Sequence, residues 1–163
     1  MPCNPAIGGT GKGHLVRELD ALGGEMGVAA DHSCLQCRML NLGKGPAVHS
    51  LRAQADRRKY QQYMKHALEK QVGLELQQAQ IVEVLVDHEK VTGLPTQLGA
   101  EYGCKAVVVA TGTYLDSTVI PGQSVIASGP DGMPPSVGLA VNLRSLGLPL
   151  RRFKTGTPPR INR

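Results

Sequence analysis

The sequence predicts an α/β fold that contains an inserted β-meander and lacks its first strand. A glycine-dense segment at residues 3–13 leads into a helical pattern, a longer helical pattern covers residues 52–71, and the period then changes to two. Five small apolar residues within 105–110 are typical of a strand buried in a parallel sheet. Such a strand needs parallel neighbours, and too few residues precede Cys3 to form one, so we expect the first strand to be missing.

The composition excludes a chain that is disordered throughout and a membrane-anchored one. The chain has 163 residues and a mass of 17.3 kDa, which fits one ordinary domain. Hydrophobic residues make up 41% and charged residues 19%, enough for a packed core. The longest apolar run is far shorter than the roughly 20 residues of a spanning helix. Since no secretory segment follows Met1, we expect a cytoplasmic protein without a membrane partner.

The net charge of +5 permits a polyanionic partner without requiring one. Lys and Arg number 18 against 13 Asp and Glu, and the pI is about 9.2. Candidate nucleic-acid contacts are Arg52, Lys154 and Arg160, in the two most basic segments. A solvated basic surface is the equal alternative. Because aromatic residues are only 3%, bound RNA would be held by its backbone more than by base stacking.

Two helices and an irregular segment are predicted before Gly73. Apolar residues at helical spacing predict the first helix: Leu15, Val16, Leu19, Leu22 and Met26. Gly23 and Gly24 are expected to end or fray it. Residues 27–51 show no sustained period and predict a loop with a short strand near residues 36–40, and one apolar stripe predicts the second helix over residues 52–71.

Short strands predominate after Gly73. Alternating apolar residues predict strands at residues 74–76, 81–86 and 91–98, which together would form the meander. The buried strand at residues 105–110 comes next. Residues 116–135 predict a loop, residues 137–146 a helix and residues 148–153 a strand.

The glycine-dense segment is a candidate phosphate-binding loop. Glycines let backbone N–H groups approach an anion at a helix N-terminus. The spacing Gly9-x-Gly11-x-Gly13 matches neither the Walker pattern nor the dinucleotide fingerprint, so ligand binding and a plain glycine-rich start of a helix both stay open. Cys3 is either a thiol activated by the helix N-terminus and Lys12 or an inert side chain.

A metal site is not predicted. Cys34-x-x-Cys37 is half of a zinc pattern, with His32 close by, but a second pair at matching spacing is missing. Without a secretory signal, reduced thiols are expected rather than disulfides.

Five sequence blocks stand in a characteristic order along the whole chain. They are residues 3–24 (CNPAIGGTGKGHLVRELDALGG), 44–48 (KGPAV), 52–57 (RAQADR), 111–115 (TGTYL) and 154–161 (KTGTPPRI). They resemble the GidA (MnmG) family of tRNA uridine 5-carboxymethylaminomethyl modification flavoenzymes. The resemblance implies a Rossmann-like FAD-binding domain of the glutathione-reductase type. Residues 1–163 would form part of it, without the N-terminal dinucleotide fingerprint and the C-terminal tRNA-binding helical region.

The resemblance also implies an activity and its partners. Family members are FAD-dependent homodimers that, with an MnmE-type GTPase, add a carboxymethylaminomethyl or aminomethyl group to C5 of the wobble uridine of tRNA. Methylenetetrahydrofolate supplies the one-carbon unit, and NADH serves the flavin. We expect this chain on its own to be inactive and to hold FAD weakly.

The resemblance further implies the site residues. Those that would contact FAD are Asn4, Gly8, Gly9, Gly11, Lys12, Gly13, Val82 (or Ile81), Thr111, Gly112 and Ser136. Cys3 would be the catalytic thiol, whose attack on C6 of the pyrimidine would activate C5.

Some residues depart from the family pattern. Cys34 and Cys37 stand where a glycine and an aromatic are usual, and residues 129–133 lack the expected Arg and Asp placement. Two other hypotheses stay open: a relative of the folate- and FAD-dependent tRNA uracil-5-methyltransferases, and a non-catalytic RNA- or partner-binding module.

Overall fold

The computed structural model describes residues 4–156, which form two compact units. Residues 4–76, with residues 155 and 156, belong to the first unit, and residues 77–154 form the second. Cys3 and Arg160 lie outside the described residues. The assignment of residues 1–163 to one partial FAD-binding domain stays a prediction.

The first unit is a three-stranded antiparallel sheet with three helices. Its elements are β1 (Ala6–Gly8), α1 (Gly13–Ala21), α2 (Glu25–Ser33), β2 (Cys34–Leu40), β3 (Ser50–Ala55) and α3 (Arg57–Lys70), with a short 3-10 helix at Pro46–Val48. The strand order is β1-β3-β2, so β3 is the central strand. Gly8 pairs with Arg52 on one side of β3, and Arg38 pairs with Arg52 on the other.

Asp56 marks the change from strand to helix. Its Oδ1 accepts hydrogen bonds from the backbone N–H groups of Arg58 (2.9 Å) and Lys59 (3.1 Å). These donors have no partner inside the helix, so the aspartate caps the first turn of α3. Its own N–H donates to the carbonyl of Ser33 at 2.7 Å, which ties this junction to the end of α2.

The structure corrects several predictions for the first unit. The first predicted helix ends at Ala21, since Gly23 has φ +82°, and a separate helix, α2, lies within the predicted loop. The strand predicted near residues 36–40 is confirmed as β2. The helix predicted over residues 52–71 begins only at Arg57, because residues 52–55 pair with strands on both sides. Residues 74–76 form no strand.

The second unit contains a meander, a small hairpin and one helix. Its elements are β4 (Leu85–Asp87), β5 (Lys90–Pro95), β6 (Glu101–Gly103), β7 (Thr118–Val119), β8 (Ile126–Ala127) and α4 (Val137–Ser145), with a 3-10 helix at Pro130–Gly132. Strands β4, β5 and β6 are antiparallel neighbours in sequence order and form a meander, as predicted, but with different strands. The strand predicted at residues 81–86 begins only at Leu85, and β6 takes the place of the strand predicted at residues 74–76.

The core of the second unit lies between the meander and α4. Val84, Leu139 and Leu143 are buried together, and further apolar side chains pack around them: Ile81, Val91, Leu94, Leu115 and Leu150. Asn142 joins the same contact through its Oδ1, which accepts a hydrogen bond from the N–H of Val84 at 2.9 Å. The predicted helix at residues 137–146 is thereby confirmed.

The predicted parallel strand at residues 105–110 is wrong. These residues have no strand assignment, and the Val108 side chain is 92% exposed. A strand buried on both faces needs paired neighbours for its backbone groups, and no strand within residues 4–156 lies beside this segment. Residues 148–153 likewise form no strand.

The fold is thus mixed α/β, as the sequence predicts, with antiparallel strand pairing. Within residues 4–156 parallel pairing is limited to one isolated bridge, between Leu115 and Ser136. The Rossmann-like character stays a prediction. None of the helices in the described part of the chain combines the length and the apolar character that crossing a membrane requires.

Candidate functional site

The glycine-rich loop joins the end of β1 to the start of α1. Gly8, Gly9 and Gly11 have φ values of +78°, +93° and +70°, which L-residues with side chains rarely adopt. The N–H of Gly9 donates to the carbonyl of Leu51 at 2.8 Å, and the N–H groups of Lys12 (3.0 Å) and Gly13 (2.8 Å) donate to the carbonyl of Gly9. The loop therefore folds back on itself and is anchored to β3.

Two glycines of this loop are required by packing within the chain. A Cβ on Gly8 would clash with the carbonyl oxygen of Leu51, and a Cβ on Gly13 would lie 2.7 Å from Ser50 Oγ. The buried Ser50 hydroxyl donates to the carbonyl of Gly9 and holds the loop against β3. Close approach to the central strand explains Gly8 and Gly13 without any ligand.

Gly11 has a different surrounding. A Cβ built on it would meet nothing within 4 Å, and Thr10, Gly11 and Lys12 are all exposed. No side chain caps α1 at its N-terminus. Because the N–H of Gly13 is bonded to the carbonyl of Gly9, an external acceptor such as a phosphate would bind the N–H groups of His14 and Leu15 in the first turn.

A polar cavity of about 180 Å³ lies on the face of the sheet next to this loop. It is lined by Gln36, Arg38, Leu40, Arg52 and Gln54. Alternate residues of β2 and β3 share one face, so Arg38 lies opposite Arg52 and Gln36 lies opposite Gln54. A Cβ on Gly9 would come within 3.9 Å of Arg52 Cδ and Leu40 Cδ1, so the loop borders the same cavity.

The charges in this cavity favour an anion. Arg38 and Arg52 take part in none of the ion pairs found between described residues. Two like charges directly opposite each other destabilise an antiparallel pair. A phosphate or carboxylate bound between the guanidinium groups would remove that repulsion and accept hydrogen bonds from both.

Asn41 forms a hydrogen bond to the glycine-rich loop. It adopts φ +63°, and its Nδ2 donates to Thr10 Oγ1 at 3.1 Å and to the carbonyl of Val48 at 3.0 Å. One amide thereby links the glycine-rich loop to the segment around Pro46. Asn4 contacts the cavity from the start of β1, since its Oδ1 accepts a hydrogen bond from Gln54 Nε2 at 3.4 Å.

The remaining predicted cofactor contacts lie in the second unit. Tyr114 links Thr111 and Ser136, because its N–H donates to the carbonyl of Thr111 at 3.1 Å and its carbonyl accepts from the N–H of Ser136 at 2.9 Å. Val82 packs against α4, where a Cβ on Gly138 would lie 3.4 Å from Val82 Cβ. Lys154 is exposed and belongs to no helix or strand.

Asp116 is a further organising residue of the second unit. Its carboxylate pairs with Arg144 at 3.3 Å and with Arg152 at 3.2 Å, and Arg152 also donates to the Asp116 carbonyl at 2.9 Å. This network fixes the turn that follows Tyr114, where Asp116 has φ +45°. Two arginines of the second unit are thereby engaged by one carboxylate within the chain.

Several of these residues were missed by the sequence reasoning. Gln36, Arg38 and Gln54 were not singled out because residues 52–55 were placed in a helix, which hides the alternation of the strand. The signal was present as polar side chains at every second position of residues 36–38 and 52–54. Asn41 and Asp116 gave no signal beyond lying in loops.

A comparison with protein families decides the relationship of this chain. The family model described as glucose inhibited division protein A, GIDA, matches residues 1–163. The chain belongs to the GidA family. Family membership covers every described element, including the glycine-rich loop and the arginine-lined cavity.

Relatives from several bacteria are identical to this chain at more than half of the aligned residues. It is 56% identical over 163 residues to the tRNA uridine 5-carboxymethylaminomethyl modification enzyme MnmG of Caldicellulosiruptor saccharolyticus, and 57% identical over 164 residues to that of Clostridium kluyveri. In both cases all of this chain matches 26% of the relative. The chain thus spans about a quarter of the length of these curated relatives.

Solved structures agree with the sequence comparison. GidA of Aquifex aeolicus superposes with a TM-score of 0.88 at 51% identity, covering 97% of this chain and 26% of that one. The GidA-related protein of Thermus thermophilus gives a TM-score of 0.50 at 27% identity over 55% of this chain and 40% of that one. The mixed α/β fold described above is therefore the fold of the matching part of GidA.

Proposed function

We propose that the protein acts in the FAD-dependent modification of C5 of the wobble uridine in tRNA, and that its loop from Asn4 to Gly13 lies along the cofactor. The match to MnmG relatives over the whole chain carries the proposal. The further participants belong to the same proposal: an MnmE-type GTPase, NADH, methylenetetrahydrofolate, a homodimer and a cytoplasmic location.

The loop fits a dinucleotide. Its backbone is open at Gly11, α1 has uncapped N–H groups, and no acidic residue stands in the first turn of α1. A phosphate of FAD would accept hydrogen bonds from these N–H groups, with Lys12 adding positive charge. Bound FAD supplies the redox chemistry, and the residues of this chain position it. Val82, Thr111, Gly112 and Ser136 complete the proposed contacts.

The arginine-lined cavity fits an RNA phosphate. Arg38 and Arg52 would both donate to one phosphate, with Gln36 and Gln54 as further donors at its rim. Lys154 and Arg160 would add backbone contacts elsewhere. Cys3 would act as the nucleophile: a bond from Sγ to C6 of the uracil moves electron density to C5, the atom that is modified.

Flavin binding is tested in a chimeric enzyme in which this chain replaces the matching quarter of the Caldicellulosiruptor saccharolyticus relative. We expect flavin absorbance in the purified chimera and at least about tenfold weaker FAD binding for Gly11→Val, equivalent to about 1.4 kcal/mol. Gly73→Val is the matched control, since Gly73 also has a positive φ (+78°) and a Cβ there also meets nothing within 4 Å. A folded chimera without flavin would overturn the proposal.

RNA binding is tested on the chain itself by titrating tRNA at several salt concentrations. Arg52→Gln should weaken binding and lower the salt slope by about one, because one phosphate contact is lost. Arg17→Gln, an exposed change on α1, should leave the slope unchanged. Equal slopes for both variants would exclude Arg52 from the RNA contact.

The role of Cys3 is tested in the same chimera. Cys3→Ala should retain FAD and lose tRNA modification, as expected of a residue that acts on the base and not on the cofactor. Unchanged modification would remove Cys3 from the mechanism.

A further inference from the structure

Cys34 and Cys37 lie on one face of β2. In a regular strand, two residues that are three positions apart would lie on opposite faces. The register explains this: Cys34 pairs with Ala55, Gln36 with Gln54 and Cys37 with Ala53. Two residues of β2 thus occupy the place of one at the strand start, which is a β-bulge. Because Ala53 and Ala55 share a face of β3, their two cysteine partners also share one.

The bulge brings the two thiols together. Two pairing positions along a strand correspond to about 7 Å, just above the roughly 4.4–6.8 Å between the Cα atoms of disulfide-bonded cysteines, so closing the bond requires a small shift of the bulged backbone. The two thiols are near enough to interact, since desolvation and, next to it, Cys34 raise the pKa of the Cys37 thiol. Both residues are exposed and carry free thiols. The pair therefore has the proximity and the access that thiol–disulfide exchange requires.

A metal is not the alternative partner in this part of the chain. Within residues 4–156, no group of three His, Cys, Asp or Glu side chains is placed to hold a metal ion. A zinc site needs about four such ligands. Among the described residues, the two exposed thiols thus have no third metal ligand beside them.

We propose that Cys34 and Cys37 are a thiol–disulfide redox site that forms a reversible intrachain disulfide with a low-molecular-weight disulfide such as oxidised glutathione as the oxidant. The site lies on the sheet face opposite Arg38 and Arg52. It stands apart from the function proposed above, and its test does not depend on that function.

The reaction has two exchange steps. The Cys34 thiolate attacks one sulfur of the small disulfide, whose S–S bond breaks and releases one thiol, leaving a mixed disulfide on Cys34. The Cys37 thiolate then attacks Cys34 Sγ and releases the second thiol. Two cysteine thiols are oxidised to one disulfide, and the small disulfide is reduced to two thiols.

The surroundings of Cys37 suit the second step. Desolvation raises the pKa of its thiol, and the charge and hydrogen bond of Cys34 and the charge of Asp31 raise it further. Once Cys34 is held in the mixed disulfide it carries no thiolate charge, so that contribution to the raised pKa is gone and Cys37 becomes a better nucleophile for the second attack. The closed loop holds only two intervening residues, so the bond should stabilise the fold little and be easily reduced.

The test equilibrates the chain in buffers of graded oxidised and reduced glutathione, alkylates the remaining thiols and maps the peptides by mass. We expect one intrachain disulfide between Cys34 and Cys37 that is lost again as reduced glutathione rises. Cys37→Ser should instead accumulate glutathione on Cys34. The control Cys104→Ser should leave the disulfide unchanged, since the Cys104 thiol is not part of the pair.

Three results would overturn the proposal. They are alkylation of both thiols at every ratio, a Cys34 disulfide with a different cysteine, and stable glutathione adducts on both residues of the unsubstituted chain. Peptide mapping of that unsubstituted chain needs no variant, so the outcome does not depend on whether a substituted protein folds.

Discussion

Gly8, Gly11 and Gly13 occupy one loop for different physical reasons. Gly8 combines a positive φ with direct contact to the carbonyl of Leu51, Gly13 is needed for contact with Ser50, and Gly11 has a positive φ in open space. The sequence indicates a special backbone in this loop but cannot say which glycine serves packing. That distinction depends on β3, which is about 40 residues away in the chain.

Replacing Gly8 should destabilise the first unit. Gly8→Ala combines left-handed strain with a steric clash against the central strand, and we expect a loss of about 2 kcal/mol or more in the free energy of unfolding. Urea unfolding followed by circular dichroism measures it. Gly43→Ala, which has open space and no positive φ, should change the free energy by less than about 0.5 kcal/mol. Equal effects would contradict the packing argument.

The ionisation of the Tyr63 hydroxyl at alkaline pH should depend on Glu25. The Tyr63 hydroxyl donates to Glu25 Oε1 at 2.5 Å, and its ring stacks on His32 with centroids 4.7 Å apart. The hydrogen bond to Glu25 raises the pKa of Tyr63, and desolvation and the Glu25 charge raise it further. The hydrogen bond therefore stabilises the folded state fully up to about pH 10, which is the ordinary pKa of tyrosine. This stabilisation is lost as the pH rises through the higher pKa of Tyr63.

Glu25→Gln tests this contact by removing the charge. We expect the Tyr63 pKa to fall, measured from tyrosinate absorbance as the difference between each protein and its Tyr63→Phe version. If Tyr63 titrates identically in the Glu25→Gln variant and in the unsubstituted chain, the hydrogen bond does not hold the phenol in solution.

At the scale of elements, the boundary between β3 and α3 differs from the sequence prediction. The pattern of residues 52–71 fits a helix throughout, but Arg52 to Ala55 form the central strand because partners on both sides satisfy their backbone groups. Tertiary pairing overrode local periodicity. The helix α2 escaped notice because its buried residues, Ala29, Ala30 and Ser33, are too small to give an apolar stripe.

The cap of α3 gives a prediction at this scale. Asp56→Ala removes the acceptor for two backbone N–H groups and should cost about 1 kcal/mol of stability. Asp56→Asn keeps an acceptor oxygen and should lose much less. Thermal unfolding of the two variants compares them, and a similar loss for both would assign the effect to charge instead of capping.

The contact of α4 with the meander gives a second prediction at this scale. Leu143 is 4% exposed, and Leu143→Ala should destabilise the second unit by about 2–5 kcal/mol. Faster hydrogen exchange of the β5 amides would report this loss. Leu148→Ala, at a side chain that is 50% exposed, is the control and should leave that exchange nearly unchanged. Equal protection in both variants would contradict the assignment of Leu143 to the core.

At the scale of the whole molecule, much apolar surface stays accessible. Large apolar side chains in the open include Leu22, Val72, Leu98, Val108 and Phe153. The sequence showed a composition adequate for a core, but composition does not tell how much of it is buried.

Self-association is the expected consequence. We expect the isolated chain to bind a hydrophobic dye such as ANS in its folded state and to form oligomers or aggregates as its concentration rises. Sedimentation velocity at several concentrations measures this. A monomer at all concentrations, without dye binding, would contradict the expectation.

The bulge at the start of β2 makes the pairing of this segment with β3 as important as its composition. Deleting Leu35 alone would restore regular alternation and still leave Cys34 and Cys37 two positions apart on the same face. One residue inserted between Gln54 and Ala55 of β3 would instead pair with Leu35 and turn Cys34 toward the side of the sheet that carries the two guanidinium groups. When orthologues are searched for the same oxidisable pair, the length of the partner strand has to be matched along with the two cysteines.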